Sequence, residues 1–289
     1  MRWAEGFIAV DWGTTNRRAW RIENGEVGEE FDDDRGVLSV DKSEFPAAVA
    51  EIRERLGDLP LLMAGMIGSN RGWVEAPYVP CPAGLDQVAA SLCWAEADRT
   101  AIVPGLSSDP PDVMRGEEVQ ILGAIEDGLV PGDAIVCHPG THNKWVTLDG
   151  GKVARFRTVM TGEMFSLLKK HSILSDLLKD EMAVDDAFCA GVREGLKGDV
   201  LTAELFGVRA GVLLGKARKE DATDYTSGLL IGADVGSSLK GRDGKVFVMG
   251  RPELTRLYAA ALGVAGRETT EIDGETAFLA GIKAIAKRL

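Results

Sequence analysis

A five-residue turn is written twice in this chain, and that duplication constrains the fold more than any other feature. Gly13-Thr14-Thr15-Asn16-Arg17 follows the apolar run FIAVDW, and Gly140-Thr141-His142-Asn143-Lys144 follows AIVCH. Each copy leads into a second apolar segment, a glycine turn and a third segment: AWRI, ENG and VGEEF in one, WVTL, DGG and KVARFRTV in the other. Short runs of this kind between such turns predict three-stranded meanders. Two of them, each followed by amphipathic segments, predict a duplicated α/β architecture.

Gly and Asn recur in hairpins for backbone reasons alone, so a chance match is the alternative to a shared purpose. Threonine and a basic residue in register favour the shared purpose. Glycine lets a backbone approach a ligand closely, and successive N–H groups beside a hydroxyl form an anion-binding concavity. Gly13, Thr14, Thr15 and Asn16 in one turn, with Gly140, Thr141 and Asn143 in the other, would hold neighbouring phosphates of one nucleotide.

The intervening segments fill out two halves. A helix is expected over DKSEFPAAVAEIRERLG, with Pro46 in its first turn. PLLMAGMIGS reads as a strand running into a loop, Leu85–Ala97 as a helix, TAIVPGL as a strand, and RGEEVQILGAIEDG as a helix ending at Gly128. After the second meander come a helix that Thr161 would cap, helices near 184–196, 200–215 and 224–238, strand KVFVMG, helix PELTRLYAAALG, strand TTEI and a terminal helix carrying Gly281. The boundary falls near residues 116–132 and is placed between 118 and 119, giving two domains, 1–118 and 119–289.

Charge narrows the partners. A formal net charge of −12 over 289 residues argues against nucleic acid or an anionic membrane surface. No apolar run approaches the ~20 residues a membrane span needs. Scattered Cys81, Cys93, Cys137 and Cys189 read as reduced thiols of a cytoplasmic protein, and three histidines make a His-rich metal site improbable.

VDWGTTN resembles the first phosphate motif of the actin-like ATPase superfamily, PGTHNKW its second, and VFVMGRPELTRLYAAAL, with Gly250, its adenosine motif. Together with AGMIGSNRGWVEAPYVPCPAG, RGEEVQILGA and TGEMFSLL, the chain resembles the 2-dehydro-3-deoxygalactonokinase family across nearly its whole length. The resemblance implies an α/β fold of two RNase H-like (actin-like ATPase) domains, each a mixed sheet with flanking helices, around a central cleft. It further implies ATP and Mg²⁺ as cofactors and phosphorylation of a 2-keto-3-deoxy sugar acid at O6. Met249-Gly250-Arg251 departs from the usual adenosine motif, where a second glycine is common.

Phosphoryl transfer needs positioning and charge neutralisation more than covalent chemistry. Asp11, at the end of a strand, is suited to Mg²⁺ through water. In related sugar kinases the general base lies near a helix start after a strand of the first half. Here that stretch offers Glu117, Asp112 and, as a weaker third, Glu118; a carboxylate there is also explained by the helix dipole. Arg17 and Arg18 must point to opposite faces of a strand, and Arg18 is preferred as a substrate contact. In the loop Asn70–Tyr78, Arg71 offers a planar fork for a carboxylate, flanked by Asn70, with Trp73 and Tyr78 to wall a pocket. Thr161, at a helix N-terminus, is a further candidate for binding the substrate, a plain capping role being the alternative. A homodimer is allowed. The competing readings are another sugar or sugar-acid kinase, an actin-like ATPase that works by shape change, and a non-catalytic sugar-acid sensor.

Overall fold

A computed structural model describes residues 2–178 and 181–289. In chain order it contains helix α1 (Arg2–Glu5), strands β1 (Gly6–Trp12), β2 (Arg17–Glu23) and β3 (Glu26–Asp33), helix α2 (Phe45–Leu56) and strands β4 (Leu61–Gly65) and β5 (Tyr78–Pro80). Helix α3 (Leu85–Ala90), strands β6 (Cys93–Glu96), β7 (Thr100–Ile102), β8 (Gly105–Ser108) and β9 (Asp112–Met114), and helix α4 (Glu117–Glu126) follow. The second meander is β10 (Ala134–His138), β11 (Asn143–Asp149) and β12 (Lys152–Val159). Helices α5 (Thr161–His171), α6 (Asp186–Gly195), α7 (Leu201–Leu213) and α8 (Ala222–Ser238) lead to β13 (Val246–Gly250), α9 (Pro252–Val264), β14 (Thr269–Asp273) and α10 (Gly274–Ala286).

The duplication extends to sheet topology. One sheet runs β3-β2-β1-β4-β7-β6 and the other β12-β11-β10-β13-β14, so each joins a meander to two strands that run parallel to its first member, β4 and β7 in one and β13 and β14 in the other. Buried strands such as β4, LLMAG, are apolar throughout because helices cover both faces. The first sheet packs on α2 through Val10, Trp12, Phe45, Ile52 and Met63, the second on α6, α8 and α9 through Trp145, Phe188, Val248 and Leu257.

Two compact units result. The first comprises the chain to Asp133 with Thr147–Phe156 and Gly274–Leu289; the second is Ala134–Val146 with Arg157–Asp273. The division at 133/134 differs from the expected 118/119 because α4 packs against α10 within the first unit. A methyl group on Gly123 would lie 2.1 Å from Ala277 O, and one on Gly281 2.0 Å from Val119 O. Gly281 thus serves a helix crossing. In the second unit α6 and α8 touch in the same way: Cβ atoms on Gly191 and Gly228 would each lie 2.1 Å from the facing backbone.

Two local expectations are corrected. The helix expected over Leu85–Ala97 stops at Ala90, and Cys93–Glu96 instead forms an edge strand antiparallel to β7. TAIVPGL is split between two sheets, with β8 joining β5 and β9 in a small sheet of three.

Candidate active site

In the first unit, β1 and β4 end side by side, pairing Asp11 with Ala64 and Trp12 with Gly65. Gly65 (φ 89°) and Gly116 (φ 107°) occupy conformations that favour glycine. A Cβ on Gly65 would stand 3.3 Å from Asp11 Oδ1, and one on Gly116 3.2 Å from Gly65 Cα. This stack of bare backbone sets the start of α4 beside Asp11. Glu117 is half-buried at that start, its Oε2 accepting from the Arg115 amide at 3.0 Å. Glu118 is fully buried and accepts twice from Gly116 N–H, at 2.9 and 2.7 Å. Burial first, and the Glu117 charge second, push its carboxyl up to about 8. Asp112 is not at the helix start. It lies on the β8–β9 hairpin, opposite Ser108.

The first turn rises from this point. Thr14, Thr15 and Asn16 are exposed, while the carbonyls of Gly13, Thr14 and Thr15 accept from the amides of Val37, Leu38 and Gly36 at 3.0, 3.2 and 3.1 Å. The two arginines diverge as strand alternation requires, although neither points freely outward. Arg17 is fully buried, paired with Asp33 (2.6 Å) and lying 4.8 Å from the Trp12 ring centre. Arg18 is partly exposed and paired with Glu275 at 3.0 Å.

The loop after β4 is tightly built. Trp73 N–H donates to Ile67 O and Ala76 N–H to Gly68 O, and a Cβ on Gly72 would lie 2.1 Å from Ile67 O. At its tip Asn70 and Arg71 are exposed, and among the described residues Arg71 makes no ion pair. Trp73 is half-buried against the first core. Arg115, which sequence reasoning passed over, pins this loop: its Nη2 donates to Ala76 O at 2.8 Å and its guanidinium lies 4.3 Å from the Tyr78 ring centre. The arginine of RGEE was the available signal.

In the second unit the turn Gly140–Asn143 borders a cavity of about 220 Å³. Thr141, Thr161 and Gly162 line one end; Leu230, Ile231, Leu254 and Leu257 form apolar walls. Leu254 and Leu257 belong to α9, the helix that Gly250 (φ 144°) precedes. The start of α5 presses on the turn: Glu163 N–H donates to Thr141 O at 2.9 Å, and a Cβ on Gly162 would lie 2.5 Å from Gly140 O. Thr161 does not cap α5, since Met160 holds the cap position and the Thr161 hydroxyl donates to Asp234 at 2.7 Å. The Asn143 side chain is fully buried. It donates to Asp234 at 2.8 Å and accepts from Cys137 Sγ at 3.4 Å, so the turn presents Gly140, Thr141 and His142 outward instead. Lys144 is likewise buried. Asp234, the hub of this network, carried no sequence signal beyond being an acid inside an apolar helix.

Among the described residues no three His, Cys, Asp or Glu side chains gather as a metal site, and no helix is long and apolar enough to cross a membrane. A Mg²⁺ arriving with a nucleotide would find Asp11 at the strand end, one carboxylate being enough when phosphates supply the other ligands.

Paired meander sheets, with a glycine turn on each, form a two-sheet α/β fold with an apolar cavity beside the second turn. The fold itself is shared with a solved activator of 2-hydroxyisocaproyl-CoA dehydratase from Clostridium difficile with bound ADPNP, at TM-score 0.51, 14% identity, and 98% and 95% coverage of the two chains. Residues 11–285 match the 2-keto-3-deoxy-galactonokinase family, and the chain belongs to it. It is 39% identical to 2-dehydro-3-deoxygalactonokinase of Escherichia coli K12 over 287 residues, covering 97% of each. A crystal structure from Sinorhizobium meliloti named for the same kinase superposes at TM-score 0.92, with 36% identity over 97% of this chain and 98% of that one.

Proposed function

We propose that this chain transfers a phosphoryl group from ATP to O6 of 2-dehydro-3-deoxy-D-galactonate, the sugar acid binding to the first unit and the nucleotide to the second. ATP bound with Mg²⁺ supplies the phosphoryl group and a cation that screens its charge. Leu230, Ile231, Leu254 and Leu257 enclose the base, while Gly140 and Thr141 meet phosphate oxygens. In the first unit Gly13, Thr14, Thr15 and Asn16 serve the phosphoryl end and Asp11 takes Mg²⁺ through water. Glu117 accepts the proton of the 6-hydroxyl, and it is preferred to Asp112 because the Gly65–Gly116 stack joins its helix to Asp11. Arg71 meets the substrate carboxylate, with Asn70 and Trp73 beside it. Arg18 is the weaker substrate contact, since it already pairs with Glu275. The free thiols fit a reducing cytoplasm, and exposed Phe206, Leu213 and Leu214 around α7 offer a homodimer contact.

One observation carries the phosphate assignment. Gly13 and Gly140 are glycines for which the fold has no need: neither has positive φ, and added Cβ atoms would come no closer than 3.4 and 3.7 Å to any neighbour. Close approach of a phosphate to the turn's own backbone supplies the missing reason.

The test is a coupled assay of ATP consumption with the galactonate-derived acid and its gluconate-derived epimer, on wild type and Arg71→Ala. The substitution should raise KM for the acid ~10-fold or more with KM for ATP little changed, as expected when a charged hydrogen bond to one substrate is lost. An equal rise in both would move Arg71 out of the acid site. ATP hydrolysis independent of either acid would overturn the kinase reading.

A further inference from the structure

Asp234 lies one turn from the end of α8 and is 3% exposed, the charged residue among those the helix buries. Burying a carboxylate is costly unless its lone pairs are satisfied. Here five donors converge on it. Oδ1 accepts from Trp145 Nε1 at 2.7 Å and from Ser238 Oγ at 3.2 Å. Oδ2 accepts from Asn143 Nδ2 at 2.8 Å, Thr161 Oγ1 at 2.7 Å and Tyr258 OH at 2.8 Å. These donors are all neutral. They come from the base of the second phosphate turn (Asn143), the strand that follows it (Trp145), the start of α5 (Thr161), the helix after Gly250 (Tyr258) and α8 itself.

A hydrophobic core could have joined the same elements more cheaply. A carboxylate does something packing cannot: it fixes proton direction. Thr161 has one hydroxyl proton, and that proton goes to Asp234. Tyr258 is held protonated, its phenol pushed well above its ordinary range by burial and then by the Asp234 charge, so it too donates inward. Thr161 and Tyr258 both line the cavity, and the hydroxyls of both are tied back to this one carboxylate.

We propose that Asp234 is a positioning residue for the nucleotide: it locks the second phosphate turn, the start of α5 and the cavity wall into the one arrangement that receives it. The inference rests on the nucleotide occupying this cavity, and its test separates the two ideas.

ADP binding is measured by calorimetry, and KM for ATP and for the sugar acid by coupled assay, on Asp234→Asn, Thr161→Val, Thr161→Ser and Leu254→Trp. Leu254→Trp fills the cavity and should abolish ADP binding; normal binding there sinks the cavity assignment itself. Asp234→Asn should weaken ADP binding ~10-fold or more, about one charge-assisted hydrogen bond. KM for the sugar acid should stay within about two-fold, since only nucleotide contacts are lost. Thr161→Val should weaken ADP and Thr161→Ser restore it. A folded Asp234→Asn that binds ADP like wild type, or that raises both KM values together, overturns the proposal. If Asp234→Asn does not fold, the Val/Ser pair at Thr161 decides, and equal ADP affinity in that pair counts against it.

Discussion

The two copies of the glycine–threonine turn share a sequence yet are braced by different means. The first is held from behind by backbone, its three carbonyls taken by the amides of residues 36–38, and at its end by the buried Arg17–Asp33 pair, while Thr14, Thr15 and Asn16 are left exposed. The second is held by side chains: Asn143 folds inward to Asp234, and the start of α5 closes over the turn. Each half also buries one carboxylate near its turn. Glu118 has backbone N–H donors from Gly116, whereas Asp234 has five side-chain donors. The first turn leaves three polar side chains exposed, whereas the second ties its asparagine into the interior. That division fits a phosphoryl acceptor side and a nucleotide-holding side.

The comparison breaks first at the carboxylates of the chemical half. Glu117→Gln should lower kcat ~10²–10⁴-fold, the range for losing a general base, with the melting temperature nearly unchanged. Asp11→Asn should fall in a similar range and its residual activity should respond to Mg²⁺ concentration more steeply than wild type. Rapid-quench kinetics read both. A Glu117→Gln enzyme of normal kcat removes that residue from proton transfer and returns attention to Asp112.

Next comes Glu118. Its folded-state carboxyl titrates near 8 against a usual value of 4.5, so the folded protein binds a proton there that the unfolded chain has released. Stability from this site is fully present below pH 4.5 and is lost as pH rises towards 8. Glu118→Gln keeps an acceptor for Gly116 N–H without the charge. Thermal unfolding should show the variant gaining on wild type by ~2–4 kcal/mol between pH 5 and pH 8. A constant difference across that window would mean the carboxyl is ionised throughout.

The turns themselves can then be compared. Gly13→Ala and Gly140→Ala create no backbone strain, so both should leave the melting temperature intact and raise KM for ATP by ~10-fold, about one lost contact. Gly36→Ala and Gly162→Ala put a methyl within 2.3 Å of Thr14 O and 2.5 Å of Gly140 O. These should cost ~1–3 kcal/mol of stability through overpacking. Scanning calorimetry beside ATP kinetics distinguishes the pairs, and a stability loss at Gly13 or Gly140 would show that the fold needs those glycines after all.

What the sequence disclosed follows from range. The meanders, their turns and the long amphipathic helices were legible because strand alternation and helix periodicity are local. Leu85–Ala97 misled because Leu85 and Val88 start a helical pattern that β7 then overrides by recruiting Cys93–Glu96 as an edge strand. The sheet of β5, β8 and β9 was invisible, its strands being only three or four residues long. Likewise the inward turn of Asn143 depends on Asp234, 91 residues further along. Turn chemistry announces a ligand; which of its side chains face it is decided by distant partners.

The weakest effect lies at the residue just after each turn's basic position, where Arg18 corresponds to Trp145. Trp145 donates to Asp234 and is 1% exposed, so it belongs to the rigid scaffold. Arg18 sits in an exposed pair with Glu275, both side chains more than 40% accessible. Such a pair contributes ~0–0.5 kcal/mol once entropy and screening are counted. Arg18→Ala and Glu275→Ala, singly and together, should therefore shift stability by no more than that, with a coupling near zero in 0.5 M salt. KM carries the sharper information. If Arg18 leaves Glu275 to meet the sugar-acid carboxylate, Arg18→Ala raises KM for the acid while Glu275→Ala lowers it, because removing Glu275 frees the arginine. If neither changes KM, Arg18 is a surface ion pair only, and the position after the turn is structural in one half and solvent-facing in the other.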